Sequence, residues 1–84
     1  MYFMQKIILQ RLNRATAKDI LSYANQYGIS LTAKQAADVA ALLHGKNVNI
    51  FDEKERASLI TKVESITSKS TAKKVNELLN QFIR

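Results

Sequence analysis

The sequence predicts an all-α protein, a compact bundle of about five short helices around a central helix near residues 33–44. The 84 residues include no proline and only two glycines, whereas β-sandwiches and barrels need turn residues roughly every eight to twelve positions. Gly28 and Gly45 each follow an apolar helical pattern, and glycine adopts the left-handed conformation that ends a helix at no steric cost. The two glycines bracket the most apolar run of the chain, which we interpret as the central helix.

The first helix is predicted to run from about Tyr2 to Asn13. Its apolar stripe recurs every four residues, and further apolar side chains widen the stripe. The stripe consists of Met4, Ile8 and Leu12, and the residues that widen it are Met1, Phe3 and Ile7.

The second helix is predicted to begin after Thr16, because Thr16 and Asp19 have the spacing of a capping box, and to end at Gly28. We expect its inner face to contain Ala17, Ile20, Leu21, Ala24 and Tyr27. Thr32 and Gln35 form a fuller capping box at the start of the central helix. The apolar positions of that helix, 33, 36, 37 and 39–43, cover more than one stripe, so we expect it to be buried on two sides.

Lys46–Ile50 alternates polar and apolar residues but has no partner strand, so we predict an extended loop with Val48 and Ile50 pointing inward. Asp52 is the predicted N-cap of the fourth helix, from Glu53 to about Thr67, with Glu55 completing a capping box. The last helix is predicted from about Thr71, because Thr-Ala-Lys at 71–73 repeats the helix starts at 16–18 and 32–34.

At this length the chain is predicted to form one domain, residues 1–84, since a second domain would have no core of its own. With no cysteine and one histidine, the sequence excludes disulfides, thiolate metal sites and His-rich metal clusters. We expect no cofactor and no enzymatic activity, because no set of nucleophile, base and orienting group can be assembled. No stretch approaches the roughly 20 apolar residues of a membrane span and the start is a poor signal peptide, which favours the cytoplasm.

The net charge of +6 is concentrated at the two ends of the chain. Residues 1–18 carry four bases and no acid, residues 19–61 four bases and five acids, and residues 62–84 five bases and two acids. Basic ends around a near-neutral middle can attract nucleic acid, an acidic protein or anionic lipid, although a charge of this size is also ordinary for a small domain.

Residues 24–30 resemble the turn of a helix-turn-helix, with a small residue, a glycine four positions later and then an aliphatic residue. In that interpretation the central helix would enter the major groove of DNA. However, the motif wants an aliphatic residue at position 34, which is Lys34, and the helix offers few side chains that recognise base edges. The pattern therefore gives little support to DNA binding, and we favour plain helix packing as its explanation.

We favour a small non-enzymatic module for protein interaction or self-association, with a protein partner or a homodimer. The apolar excess on the first and last helices indicates a possible partner face, which comprises Tyr2, Phe3, Ile7 and Phe82. The alternative function is nucleic-acid binding through the basic ends. Its possible contacts are Lys6, Arg11, Arg14, Lys18, Lys69, Lys73 and Lys74. Membrane binding is disfavoured because the first helix is short.

Several runs of this sequence are similar to a known family: residues 26–32, 40–52 with 55–56, 66–68 and 72–78. The most specific of them is Gly-Lys-Asn-Val-Asn-Ile-Phe at 45–51. Over nearly its whole length the chain resembles a small family of uncharacterised helical proteins from Bacillus-type bacteria. The resemblance implies an all-helical cytoplasmic protein and transfers no activity and no site residue.

Overall fold

The computed structural model describes the backbone of residues 2–83 and the side chains of residues 5–81. Its helices confirm the predicted all-α class, and no strand occurs within residues 2–83. The helices are α1 Tyr2–Asn13, α2 Ala17–Gln26, α3 Ala33–Leu43, α4 Glu53–Ile66 and α5 Lys69–Ile83. Helices α2 and α3 pack as one hairpin, α4 and α5 pack as another, and α3 joins the two by packing against α4.

Both predicted capping boxes at the starts of α2 and α3 are present. The Thr16 hydroxyl accepts the N–H of Asp19 at 3.2 Å, and the Asp19 carboxylate accepts the N–H of Thr16 at 3.1 Å. Thr32 and Gln35 make the same reciprocal pair at 3.1 and 3.0 Å. Each box satisfies two backbone donors that a helix start leaves without a partner, which fixes where these helices begin.

Gly28 ends α2 in a Schellman motif, as its position in the sequence predicts. Its φ is +70°, the Ile29 N–H donates to the Ala24 carbonyl at 2.8 Å, and the Gly28 N–H donates to the Asn25 carbonyl at 3.4 Å. The turn leaves Ile29 only 7% exposed. The segment that resembles a helix-turn-helix thus forms the turn of the α2–α3 hairpin.

Helix α3 is central, but the prediction that it is buried on two sides is wrong for part of its surface. It buries one continuous face, which consists of Ala36, Val39, Ala40 and Leu43. Ala33, Ala37 and Ala41 recur every four residues on an exposed stripe. Alanine is the best helix former whether buried or exposed, so counting it as an apolar residue overstates how much of a helix faces the core.

The loop after α3 is organised by Asn49. Its side-chain oxygen accepts the N–H of Phe51 at 3.0 Å, and its carbonyl accepts the N–H of Asp52 at 3.1 Å. The predicted capping box at α4 is therefore incomplete. Asp52 does cap the N–H of Glu55 at 2.9 Å, but the Glu55 carboxylate accepts the N–H of Asn49 at 3.1 Å, because the Asp52 N–H is already bonded to Asn49.

The prediction that Val48 and Ile50 point inward is confirmed. Ile50 is completely buried in the core cluster, and Val48 is half-buried against it. Arg56 of α4 donates from Nη1 to the Ile50 carbonyl at 3.1 Å, which satisfies a backbone acceptor beside this buried side chain. The loop is therefore a structural part of the core.

The predicted start of the last helix is two residues late. The Ser68 hydroxyl accepts the N–H of Thr71 at 3.1 Å, and the Ser68 carbonyl accepts the N–H of Ala72 at 2.9 Å, which is the pattern of an N-cap. Thr71 lies inside α5, and its hydroxyl oxygen accepts a hydrogen bond from the Ser68 hydroxyl at 3.1 Å. The third Thr-Ala-Lys triplet therefore does not begin a helix.

Candidate binding groove

An apolar groove with a volume of about 350 Å³ opens into the core of the bundle. Its floor is formed by buried side chains, including Val39 and Leu43 of α3 and Leu59 and Val63 of α4. The partly exposed lining side chains belong to α1, to α2 with the turn after it, and to α5. These three helices are therefore its walls. Pockets that bind small molecules or side chains are commonly apolar and about 300–1,000 Å³ in volume.

Polar groups lie only at the rim of the groove among the described lining residues. They are Arg11, Gln26 and the hydroxyls of Tyr23 and Tyr27, and all four residues are exposed. Arg11 is the one charged side chain among the described residues that line the groove. An apolar interior with a few polar groups at its edge suits an amphipathic ligand or segment.

The two tyrosines share one face because they are four residues apart at the C-terminal end of α2. Tyr27 is the C-cap, and its N–H contacts the carbonyls of Tyr23 and Ala24 at 3.2 Å each. The predicted inner position of Tyr27 is wrong, since 47% of its surface is exposed, and Tyr23 is 36% exposed. A tyrosine at a rim can contact apolar surface with its ring while its hydroxyl stays in water.

The wall formed by α1 carries an apolar residue next to the basic one. Ile7 is 38% exposed and lies four residues before Arg11, so the two side chains share one side of the helix. The residues that follow these two in the sequence, Ile8 and Leu12, line the groove itself. Of the predicted partner face, the structure therefore places Ile7 beside the groove. Tyr2, Phe3 and Phe82 lie outside the residues whose side chains are described.

The seven predicted nucleic-acid contacts are all exposed, but only Arg11 lines the groove. Three of the lysines lie two positions before a residue that lines the groove: Lys6, Lys18 and Lys73. Two positions along an α-helix correspond to a separation of about 160° around its axis, so these lysines point away from the groove. Lys69 shares the face of Lys73, since the two are four residues apart on α5. The structure thus separates most of the basic side chains from the apolar site.

Sequence reasoning missed the groove because its walls come from helices that are distant in the chain. The tyrosine pair was a usable indication, since two tyrosines four residues apart on an otherwise apolar helix face combine apolar area with polar groups. Val75 and Leu78 on α5 are only half-buried because they border the groove.

The described part of the chain offers no metal-binding cluster and no membrane-spanning helix. It contains no group of three or more His, Cys, Asp or Glu side chains that could hold a metal ion. Its helices include none with the length and apolar character needed to cross a membrane. All its buried residues are apolar, and no buried side-chain nitrogen or oxygen of its partly exposed residues lacks a hydrogen-bond partner.

Comparison with known proteins confirms the resemblance noted in the sequence. Residues 1–83 match the family described as protein of unknown function (DUF2624). The uncharacterized protein YqfT of Bacillus subtilis (strain 168) is 65% identical over 82 residues, which cover 98% of this chain and 98% of that protein. No solved structure matches the chain. These similarities assign neither an activity nor a binding partner.

Proposed function

This chain belongs to the DUF2624 family of proteins of unknown function, and from that premise we propose that it is a small non-enzymatic module that binds protein through its groove. The observation that carries the proposal is the apolar groove of about 350 Å³ with exposed Tyr23, Tyr27 and Arg11 at its rim. Tyrosine and arginine are enriched among the residues that contribute most to protein–protein binding.

The exposed apolar residues support an interface at this position. Ile7, Tyr23 and Tyr27 are the most exposed large apolar side chains of the described residues. Two of them line the groove, and Ile7 lies beside Arg11 at its edge. Apolar surface that is clustered and rimmed by polar groups is typical of interaction sites, whereas isolated exposed apolar residues need no explanation.

The chemistry of the lining supports a binding role over a catalytic one. The described lining residues include no carboxylate, imidazole, thiol, lysine amine or serine or threonine hydroxyl. General acid–base and nucleophilic catalysis combine several such groups, and the tyrosine hydroxyls, which can also serve in catalysis, have none of them as a partner in the described lining. Arg11 and the tyrosines are suited to recognition, because they offer apolar contact area together with hydrogen-bond donors.

Nucleic-acid binding through the basic ends stays a prediction. It requires phosphate contacts from several lysines and arginines on one surface, with an affinity that falls steeply with salt. Such binding is strongest at low salt, so failure of the protein to retard DNA or RNA in a gel at about 50 mM salt would exclude nucleic-acid binding. The groove gives it no support, because an apolar interior offers phosphate nothing to bind.

Affinity purification from the native cell, with nuclease treatment, tests the proposed function. We would compare the natural chain with Tyr23→Ser combined with Tyr27→Ser, and with the control pair Ala37→Ser and Ala41→Ser. Both pairs are exposed and spaced by four residues, but the alanines lie on the stripe of α3 that faces away from the core. We expect the tyrosine variant to lose a protein partner that the control retains. Equal recovery from all three chains would refute a groove interface.

A further inference from the structure

We infer that the groove holds one amphipathic helix of a partner protein, with apolar side chains inside the groove and an acidic side chain beside Arg11. This inference rests on the proposed function and specifies the partner. The walls are three helices, and a fourth helix can pack against such a surface by placing its ridge of side chains between them. Helices bound in grooves insert apolar residues at i, i+3 or i+4, and i+7.

The charges at the rim favour an acidic partner. Arg11 lines the groove, and Arg14 follows it by three residues, close to the end of α1. On the α5 wall, exposed Lys74 lies one turn before Leu78, a lining residue. Basic groups therefore flank the groove from two of its walls.

One acidic group lies close to this rim along the sequence. Asp19 lies one turn before Tyr23 on α2, and its carboxylate keeps its negative charge while it accepts the N–H of Thr16 at 3.1 Å in the capping box. On α5, Glu77 follows Val75 by two positions, which turns it about 160° from the groove. Arg11, Arg14 and Lys74 outnumber Asp19, so the rim presents net positive charge, and electrostatic complementarity selects a partner with Asp or Glu beside its apolar residues.

The same charges disfavour a second copy of this chain as the occupant. Each copy carries a net charge of +6, and residues 1–18, which include most of α1, contribute four bases and no acid. Bringing two such rims together would place like charges opposite one another, which opposes association. A partner helix with acidic flanks has no such penalty.

Two synthetic helical peptides of 18 residues test the inference with the purified full chain. Both carry leucines at i, i+3, i+4 and i+7. They differ only at the positions beside this leucine face, which are Glu in one peptide and Lys in the other. We expect the Glu peptide to bind at least about tenfold more tightly at about 50 mM salt, and the difference to shrink at about 500 mM as the charges are screened. Binding is measured by fluorescence anisotropy.

A matched pair of variants assigns the charge effect to the rim. Arg11→Gln removes the charge that lines the groove, and Lys73→Gln removes one charge from the side of α5 that faces away from it. We expect Arg11→Gln to lower the affinity for the Glu peptide by roughly 3–5-fold, as for an exposed charge pair, and Lys73→Gln to leave that affinity unchanged. An equal effect of both changes would contradict a contact at Arg11.

The remaining outcomes separate this inference from the proposed function. The acidic-helix inference is overturned if both peptides bind equally, or if neither binds at about 100 μM. In either case the affinity purification described above still decides whether the groove binds protein. Dimerisation in sedimentation that Tyr23→Ser with Tyr27→Ser abolishes would identify a second copy as the occupant. Tight binding of dodecanoate that displaces the Glu peptide would instead identify an acyl chain. Either result overturns the inference.

Discussion

The side-chain oxygen of Asn13 accepts a hydrogen bond from the backbone N–H of Asn47 at 2.8 Å, across 34 positions of the chain. The carbonyl of Asn13 also accepts the N–H of Gly45 at 2.8 Å. These two bonds attach the end of α1 to the loop that follows α3. Because α1 supplies one wall of the groove through Ile8 and Leu12, the same bonds help to fix the width of the groove.

Replacing Asn13 by alanine should therefore affect both stability and binding. The change leaves the Asn47 N–H without its protein acceptor, and we expect the free energy of unfolding to fall by about 1 kcal/mol. Binding at the groove should weaken as well, because α1 loses one of its attachments. Gln10→Ala, at an exposed position of the same helix, is the control for urea unfolding. A stability loss no larger than that of the control would contradict a structural role for the Asn13–Asn47 bond.

The two glycines should tolerate asparagine better than alanine. Gly28 and Gly45 have φ of +70° and +72°, where residues with a Cβ are strained, although a Cβ built at either position has no heavy atom within 4 Å among the described residues beyond the glycine and its two chain neighbours. The cost therefore comes from the backbone conformation. We expect the free energy of unfolding to fall by about 1–2 kcal/mol for Gly28→Ala and by less for Gly28→Asn, since asparagine adopts the left-handed conformation more readily. Thermal unfolding measures both, and an alanine variant as stable as the natural chain would be the contrary result.

Ser68 should matter more than Thr71 as the cap of α5. Ser68→Ala removes the acceptor of the Thr71 N–H, which typically costs about 1 kcal/mol at an N-cap. Thr71→Ala removes a hydroxyl from within the first turn and should cost less. Urea unfolding of the two variants, each compared with Lys69→Ala, distinguishes the observed helix start from the one predicted by the sequence. A larger loss for Thr71→Ala would favour the sequence-based prediction.

Ile50 should be among the most sensitive core positions, although it lies in a loop. Its side chain is 0% exposed, so Ile50→Ala should cost about 2–5 kcal/mol and Ile50→Val about 0.5–1.5 kcal/mol. Ile7→Ala, at a position that is 38% exposed, provides the comparison and should cost much less. Similar losses at the two positions, measured by urea unfolding, would show that the loop does not anchor the core.

Local chemistry in the sequence predicted the helices well. The capping boxes at Thr16 and Thr32 and the glycine at position 28 act through neighbours a few residues away, so spacing alone reveals them. The start of α5 was missed because Ser68 and Thr71 are both good N-caps, and only the hydrogen bonds decide between them.

Contacts between distant segments could not be predicted in this way. The bonds of Asn13 to the 45–47 loop depend on how α1 lies against the bundle, and helical periodicity does not give the rotation of one helix relative to another. The same reason hid the groove, whose walls come from both ends of the chain. The loop at 45–51, the most specific part of the family resemblance, is explained by these contacts and by the burial of Ile50.

Site-specific photo-crosslinking in the native cell tests the groove interface most directly. A photoreactive benzoylphenylalanine is placed at Tyr27 on the rim of the groove and, in a second chain, at Ala37 on the exposed stripe of α3. After nuclease treatment we expect one defined protein adduct from the Tyr27 position, none from the Ala37 position, and loss of the adduct when Tyr23→Ser is added. No adduct at Tyr27, or the same adducts from both positions, would contradict a protein-binding groove.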